Sequence, residues 1–482
     1  MAEFQLSDDQ QTALDKVLTW WQGQDKYKEP FVLTGSAGTG KSTIVREILQ
    51  SLPLIPEKII MLAPTGTAVK NIQQKNPEIQ AQTISSFIER PFTYVNIIDP
   101  KTGDIVSSIT NVKDLKKSDY IVTDDEKLKF EPQDFGFMRV LSTAVAKHGL
   151  YAETAVGFKL KDEDMDMATR IALPQLIVID ELGMVSEDKF EHIRDMGIPI
   201  FGLGDPYQLK PVASVQNKII SDTKRTDFYH ELTVVHRQDG ENPIVAVATS
   251  ARQGKDWLSD ARRLESSSVV VAKYLRDDPD QLGQLIARAD MVLSPSNFSV
   301  QAFNKMAHDI LHPNTKLAVG EKILVTSNTS EKENGSPVLT NGMQGVITEL
   351  VDTPVVASDL DLQLVKIQTH SQTLTVLANT VHLSDTRTKY SELAKTKSVK
   401  LQQILLARAR TYLDEGKVFD LGADLDEIIY ISYGYAMTVH KSQGKEWQNV
   451  VFDTEIPQRM QANAQPLVYT AITRAKENLI FI

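Results

Sequence analysis

Short runs of apolar residues recur along the chain, and each ends in glycine, a carboxylate or a small hydroxyl residue. Phe31-Val-Leu leads into a glycine-rich turn and then a segment with Ile44, Val45, Ile48 and Leu49 at helical spacing. Lys58-Ile-Ile-Met-Leu-Ala ends at Pro64-Thr65-Gly66, Leu176-Ile-Val-Ile at Asp180-Glu181, and Pro199-Ile-Phe-Gly-Leu-Gly at Asp205. Buried strands alternating with amphipathic helices predict an α/β fold with parallel sheets. A second strand–helix series opens at Met291-Val-Leu-Ser-Pro-Ser-Asn297, followed by a helix carrying Phe303 and Asn304. It resumes with Ile428-Ile-Tyr-Ile-Ser, read as a strand, and a polar loop-helix at Tyr435–Trp447. Asn449-Val-Val-Phe-Asp, a helix from Val468 to Lys476 and Asn478-Leu-Ile-Phe-Ile complete it.

Two stretches break the rhythm. In residues 87–174, Tyr94 to Val106 reads as a hairpin about a Pro100–Gly103 turn. Acidic clusters at 124–126 and 162–164 read as solvated loops. In residues 321–429, short β-like runs surround an Asn341-Gly342 turn, which predicts a small barrel followed by a helical stretch. Eight Lys/Arg stand against three acids over 387–417, either a solvated face or the border of a nucleic-acid track.

At 482 residues the chain is too long for one core, so two or more domains are expected. No apolar run is long enough to span a bilayer, and Met-Ala-Glu-Phe-Gln lacks the features of a signal peptide. The expected location is therefore the cytoplasm or nucleoplasm. Zero cysteines remove disulfides, thiolate zinc sites and iron–sulfur clusters. A net charge of −11 argues against a protein that coats nucleic acid non-specifically, but leaves room for a local basic groove.

The candidate chemistry centres on Gly35-Ser-Ala-Gly-Thr-Gly-Lys-Ser42, the G-x-x-x-x-G-K-[ST] pattern between a strand and a helix. Gly35, Gly38 and Gly40 let successive backbone N–H groups, those of Thr39 and Thr43 among them, converge on phosphate at a helix N-terminus. Lys41 would neutralise the β/γ-phosphates, and the Ser42 hydroxyl would take a Mg²⁺ position. Asp180 would hold Mg²⁺ as well, and Glu181 would orient and deprotonate the attacking water. Ser7 and Gln10 fit a capping box, although the Gln10 amide could also pair with adenine. Thr65 and Thr67 suit either a ligand at a sheet edge or ordinary turn chemistry. Gln208 could contact both the γ-phosphate region and a second ligand. Arg237, read singly, is a surface or ion-pair residue.

Taken in order, Gln10, Gly35–Ser42, Leu62–Ala68, Asp180-Glu181, Gly204–Gln208, Val235–Arg237, Met291–Asn304, Thr438–Gly444 and Tyr469–Arg474 resemble superfamily-one helicases. Within these the chain is most similar to the RecD-like, 5′→3′ branch and to a phage-encoded member of it. That resemblance implies two RecA-like domains, at 1–86 with 175–235 and at 236–320 with 430–482. It implies an inserted pin subdomain at 87–174 and an SH3-like barrel with helices at 321–429. It further implies that Gln10 reads adenine and that Gln208, Arg237, Gln443, Gly444 and Arg474 meet the γ-phosphate, with the two arginines as fingers. Pro64, Thr65, Thr83, Asn297, Thr438 and His440 would line a single-strand track. After Thr83-Ile84 the family usually has His where this chain has Ser85.

The implied activity is an ATP- and Mg²⁺-dependent DNA helicase moving 5′→3′. Its partners would be single-stranded DNA, single-strand/duplex junctions, and single-strand-binding or replisome proteins, with the chain acting as a monomer away from membranes, in host cytoplasm if phage-encoded. The alternatives are an RNA helicase and a nucleotide-gated strand-binding subunit without unwinding activity.

Overall fold

The computed structural model describes residues 6–36, 38–99, 105–109, 149, 151–160, 174–210, 218–234, 242–326, 332–333, 336–337, 339–351, 362–370, 372–379, 383 and 428–482. The acidic clusters, the Pro100–Gly103 turn, Arg237 and the basic stretch 387–417 lie outside these residues. The chain divides into two units. One comprises Met1–Ile88, Asp162–Thr315 and Tyr433–Ile482; the other comprises Glu89–Lys161 and Lys316–Ser432.

The first unit holds two parallel, RecA-like sheets. In the first, the strands lie in the order Gln80–Thr83, Ile59–Ala63, Leu176–Ile179, Ile200–Gly204, Phe31–Gly35, Tyr229–Leu232. Parallel strands are joined by crossover helices, which cover both faces, and so the four inner strands are largely apolar while the edge strands Gln80–Thr83 and Tyr229–Leu232 carry polar residues. Side chains alternate between the faces. Phe31, Leu33, Met61, Val178 and Phe201 pack beneath the helices Asp8–Gln22, Lys41–Ser51 and Gly66–Lys75. Val32, Ile60, Leu62, Ile177 and Ile179 pack on the other side with Phe190 and Ile193. Each buried Leu, Ile or Phe contributes about 1.5–3 kcal/mol, so this double core stabilises the strand ends from which the functional loops spring.

The second sheet runs Val269–Val271, Ala475–Phe481, Trp447–Phe452, Met291–Ser294, Ala436–Thr438, again all parallel. Its edge strand is pinned by the buried Asn304, whose Oδ1 accepts from Tyr435 N and Ala436 N at 2.9 and 2.8 Å and whose Nδ2 donates to Ala436 O at 3.1 Å.

Four sequence expectations change. Ile428–Tyr433 is not a strand of the second sheet: it pairs with Thr373–Asn379 and closes a five-stranded barrel with Lys322–Val325, Gln344–Leu350 and Leu362–Thr369. The domain boundary placed at residue 430 therefore cuts through a barrel strand. An apolar run specifies burial, not the sheet that buries it. Residues 436–438, expected within a polar loop-helix, form the sheet's edge strand and are buried. The first insertion begins at Glu89 rather than residue 87, because Ile88, fully buried, belongs to the first domain's core. That insertion is a three-stranded antiparallel sheet, Glu89–Ile98 flanked by Ile105–Ile109 and Tyr151–Leu160, where the pattern suggested only a hairpin. Among the described residues, no helix is long and apolar enough to cross a membrane.

Candidate active site

The carboxyl ends of the first sheet carry most of the first domain's candidate residues. In register, Ala63 pairs with Thr83, Leu62 with Ile179, Ile179 with Gly202 and Thr34 with Gly204. The phosphate loop, Pro64-Thr65, Thr83, Asp180-Glu181 and Asp205 thus emerge from one edge, where parallel α/β sheets bind ligands.

The loop has the curvature that phosphate binding needs. Gly38 and Gly40 take φ of 84° and 78°, and Gly40 caps the helix that begins at Lys41. Gly35 is required for a different reason: a Cβ there would lie 2.5 Å from Thr39 Oγ1 and 3.1 Å from Leu232 Cβ. Thr39 is buried, and its hydroxyl donates to Ser36 O at 2.9 Å, which holds the turn closed. Lys41 Nζ donates to the Gly35 and Ser36 carbonyls, the latter at 3.1 Å. Ser42 and Thr43 occupy the first turn of the helix, with Thr43 N donating to the carbonyl of the N-cap Gly40 at 3.0 Å.

Asp180 and Glu181 follow the strand end. Asp180 N donates to Leu62 O at 2.8 Å, and Asp180 Oδ1 accepts from Glu181 N at 2.9 Å. Glu181 adopts φ of 51°, an unfavourable conformation for a residue with a Cβ, costing about 1–3 kcal/mol. Desolvation raises the Asp180 carboxyl, with the charges of Lys41 and Lys75 opposing. Glu181 is pushed up to about 7, by desolvation first and then by Asp180, while Arg474 and Lys41 pull it down. A carboxyl poised near neutrality is suited to taking a proton from water.

The two sheets' domains meet beside this pair. Tyr469 Oη donates to Asp205 Oδ2 at 2.7 Å, Leu209 N donates to Thr470 Oγ1 at 3.1 Å, and Gln443 Nε2 donates to Leu209 O at 2.9 Å. Asn71 Nδ2 donates to Gly444 O at 2.7 Å, and Gly444 has φ of 75°. Arg474 is only 4% exposed and is held by three contacts: Nε to Thr470 O, Nη1 to Lys445 O and Nη2 to Thr473 Oγ1. Gln208 is buried, and its Oε1 has no hydrogen-bond partner among the described residues. Lys441 and Lys445 flank Gln443; burial lowers both, and Lys445, with Lys441 nearby, falls to about 8.

Gln10 sits in the capping box its spacing suggested, with Oε1 accepting from Ser7 N at 3.2 Å and its own N–H donating to Ser7 Oγ at 3.3 Å. The track candidates occupy strand ends on both sheets. Thr65 caps the helix Gly66–Lys75 through its Oγ1, and Thr83 Oγ1 accepts from Ser86 N at 3.1 Å. On the second sheet Ser294 pairs with Thr438, Asn297 opens the helix Asn297–Leu311, and burial lowers His440. Pro64 and Asn297 are at least partly open to solvent, whereas Thr438 is 8% exposed. Ser85 accepts from Lys189 Nζ at 2.7 Å.

Sequence reasoning assigned no role to Asp205, Tyr469, Asn71 or Lys75. Asp205 could have been found by analogy with Asp180, since both follow a buried strand directly. The others announce themselves only through long-range contacts.

The AAA domain family model matches residues 5–272, more than half of the chain, and the UvrD-like helicase C-terminal domain matches residues 433–482. The uncharacterized protein R530 of Acanthamoeba polyphaga mimivirus is 21% identical over 516 residues, 94% of this chain and 95% of that one. The ATP-dependent DNA helicase Dda of Enterobacteria phage T4 is 26% identical over 239 residues, 48% of this chain and 40% of that protein. Among solved structures, Pif1 helicase from Candida albicans shares 18% identity at a TM-score of 0.49, covering 99% of this chain and 94% of that one. Bacteroides Pif1 in complex with ADP-AlF3 and ssDNA shares 16% at 0.46, covering 99% and 92%. The fold assignment rests on the two parallel sheets themselves. With a phosphate loop and acidic pair on the first and a UvrD-like helicase end on the second, the chain belongs to the AAA-domain family and resembles superfamily-one helicases such as Dda.

Proposed function

We propose that this protein is an ATP-dependent DNA helicase that moves 5′→3′ along single-stranded DNA and separates duplexes. The observation that carries this reading is the meeting of both sheets' domains at one carboxylate. Tyr469, Thr470 and Gln443 of the second are bonded to Asp205 and Leu209 of the first, and the charge of Arg474 is felt at Glu181. A nucleotide bound there would be gripped from both sides, so its binding and hydrolysis would change how the domains lie.

The roles then follow from the chemistry. The loop N–H groups and Lys41 hold phosphate, and Gln10 offers its amide N–H₂ to the base, its Oε1 being engaged in the cap. The orphaned Gln208 Oε1 is an acceptor suited to a water next to the γ-phosphate. Gln443 and Gly444 border that region, and Arg474, with Arg237, would offset the charge that develops there, each worth about 10³–10⁵ in rate. Ser42 and Asp180 fit a divalent cation by the chemistry of the donor set, a hydroxyl and a carboxylate being the hard oxygen ligands that Mg²⁺ takes. Mg²⁺ bound by them would neutralise phosphate charge.

Pro64, Thr65 and Thr83 on one sheet and Asn297, Thr438 and His440 on the other would form two grips on a single strand. Changing their separation would move the strand, against a duplex cost of about 1.4 kcal/mol per stacking step. The sheet at Glu89–Ile98 would supply the strand-separating pin, and the closed barrel would be the SH3-like insertion. Monomeric action and contacts with single-strand-binding or replisome proteins belong to the same proposal.

The test is unwinding of matched duplexes bearing a 5′ or a 3′ overhang, with ATP and Mg²⁺. Unwinding confined to the 5′ overhang is expected, and activity only on the 3′ overhang overturns the polarity. Stimulation by deoxy- over ribo-oligonucleotides separates DNA from RNA. Lys41→Ala should abolish hydrolysis and keep strand binding; undiminished hydrolysis would sink the site assignment.

A further inference from the structure

The turn that follows the strand Ile200–Gly204 carries Asp205, Tyr207 and Gln208, and the second sheet's domain holds it at more than one residue. Asp205 is held by Tyr469, and Leu209 by Thr470 and Gln443, all through hydrogen bonds. Tyr207 is held differently. The Arg252 guanidinium lies 5.0 Å from the centroid of its ring, and the Tyr469 ring meets it edge-on at 6.2 Å. Arg252 is itself anchored at the end of the helix Pro243–Arg252. Its carbonyl accepts from Gln465 Nε2 at 2.7 Å, on the helix Ala464–Ile472 that also carries Tyr469. Arg252 further lines a cavity together with Tyr469 and with Ser36 of the phosphate loop.

A guanidinium over an aromatic face is attracted by the ring quadrupole, and more strongly once partly desolvated, as both Arg252 and Tyr207 are. A ring seated in this way restricts the backbone that carries it. Tyr207 N donates to Asp205 Oδ1 at 3.0 Å, and Gln208 N donates to Asp205 O at 3.3 Å. One short turn therefore sets both the seat of the Tyr207 ring and the place of the next residue, Gln208. The Gln208 side chain is buried, and among the described residues its Oε1 has no partner to fix it. A displacement of about 1 Å at a group that orients a reactant can cost about 10²-fold in rate, so a modest contact at Tyr207 has leverage.

We propose that Arg252 is a positioning residue for hydrolysis: by seating the Tyr207 ring, it holds Gln208 where that side chain faces the γ-phosphate region. The inference rests on the reading of Gln208 given above. It makes the second sheet's domain set the geometry of a first-domain group, in addition to bringing its own arginine to the site. Because the contact is a single half-buried cation–π pair, its loss should slow the chemical step about two- to thirtyfold and leave nucleotide affinity in place.

The experiment pairs single-turnover ATP hydrolysis with equilibrium binding of a fluorescent ADP analogue, on the full chain and with folding checked by circular dichroism. Wild type is compared with Arg252→Met, Tyr207→Leu, Tyr207→Phe and the double variant Arg252→Met/Tyr207→Leu. The Met side chain keeps most of the stem without the charge, and Phe keeps the ring face without the hydroxyl. Arg252→Met and Tyr207→Leu are each expected to slow hydrolysis about two- to thirtyfold, with ADP affinity within about twofold of wild type. The double variant should be no slower than the slower single one, and Tyr207→Phe should run close to wild type. Losses that multiply in the double variant overturn the proposal, as does weakened ADP binding in Arg252→Met, because the arginine would then act without the ring. A Tyr207→Phe as slow as Tyr207→Leu overturns it too, by tracing the effect to the hydroxyl. Lys41→Ala separates the two levels of inference. If it abolishes hydrolysis while Arg252→Met leaves the rate unmoved, the nucleotide site stands and the positioning role falls. If wild type itself hydrolyses no ATP, both fall.

Discussion

Tyr469 donates its hydroxyl to Asp205 across 264 residues of sequence, at 2.7 Å, tying the last helix of the second sheet's domain to a strand end of the first. The carboxylate is 5% exposed, and its other oxygen accepts from Tyr207 N at 3.0 Å. Tyr469→Phe removes one partner from a buried anion, so a loss of about 1.5–3 kcal/mol in chemical denaturation is expected. A double-mutant cycle with Asp205→Asn should show coupling above about 0.5 kcal/mol; additive losses would mean the pair is not an energetic link.

Glu181 makes the site pH-dependent. With the Glu181 anion as the proposed base, hydrolysis should climb with pH and level off above about 7. Glu181→Gln should lower turnover by about 10²–10⁴ and flatten that profile. Stability has the opposite sign. Between the ordinary value of 4.5 and about 7 the folded chain binds more protons than the unfolded one, so stability falls as pH rises through that window. The Gln variant should therefore melt above wild type in mildly alkaline buffer, with the gap closing toward acid. A gap of the same size at every pH would show that this carboxyl is not the group titrating.

Arg474 tests whether the second domain reaches the chemistry. Lysine cannot reproduce the three contacts of its guanidinium fork with Thr470, Lys445 and Thr473. Arg474→Lys should hold nucleotide affinity within tenfold while single-turnover hydrolysis falls about 10³–10⁵. Unchanged turnover would leave the arginine a structural clamp only.

Gly35→Ala probes the loop's packing. The added Cβ would stand 2.5 Å from Thr39 Oγ1 and 3.3 Å from Leu232 O, so the turn must shift. Nucleotide affinity should drop at least about tenfold, the effect of some 1.4 kcal/mol, while strand binding persists. Adding Thr39→Ala removes the nearer obstacle and should recover part of the loss; no recovery would place the strain at Leu232.

The strand–turn–helix about Gly35 to Ser42 and the strand ending at Asp180-Glu181 were legible in the chain because such structure is local: a few consecutive residues between a strand and a helix. The capping box of Ser7 and Gln10 is local for the same reason, a three-residue reach between side chain and backbone. Alternating apolar runs and helices also sufficed to specify two parallel sheets, since only strands covered on both faces are apolar throughout. Which sheet takes a given run was not local. Ile428–Tyr433 reads like any core strand, and pairing with Thr373–Asn379 put it in the barrel. Tertiary structure alone decided that Tyr469 would find Asp205, that Arg474 would be felt at Glu181, and that Arg252 would stand over Tyr207. Such contacts depend on how packed helices aim long side chains, and a linear order of residue types does not encode that direction.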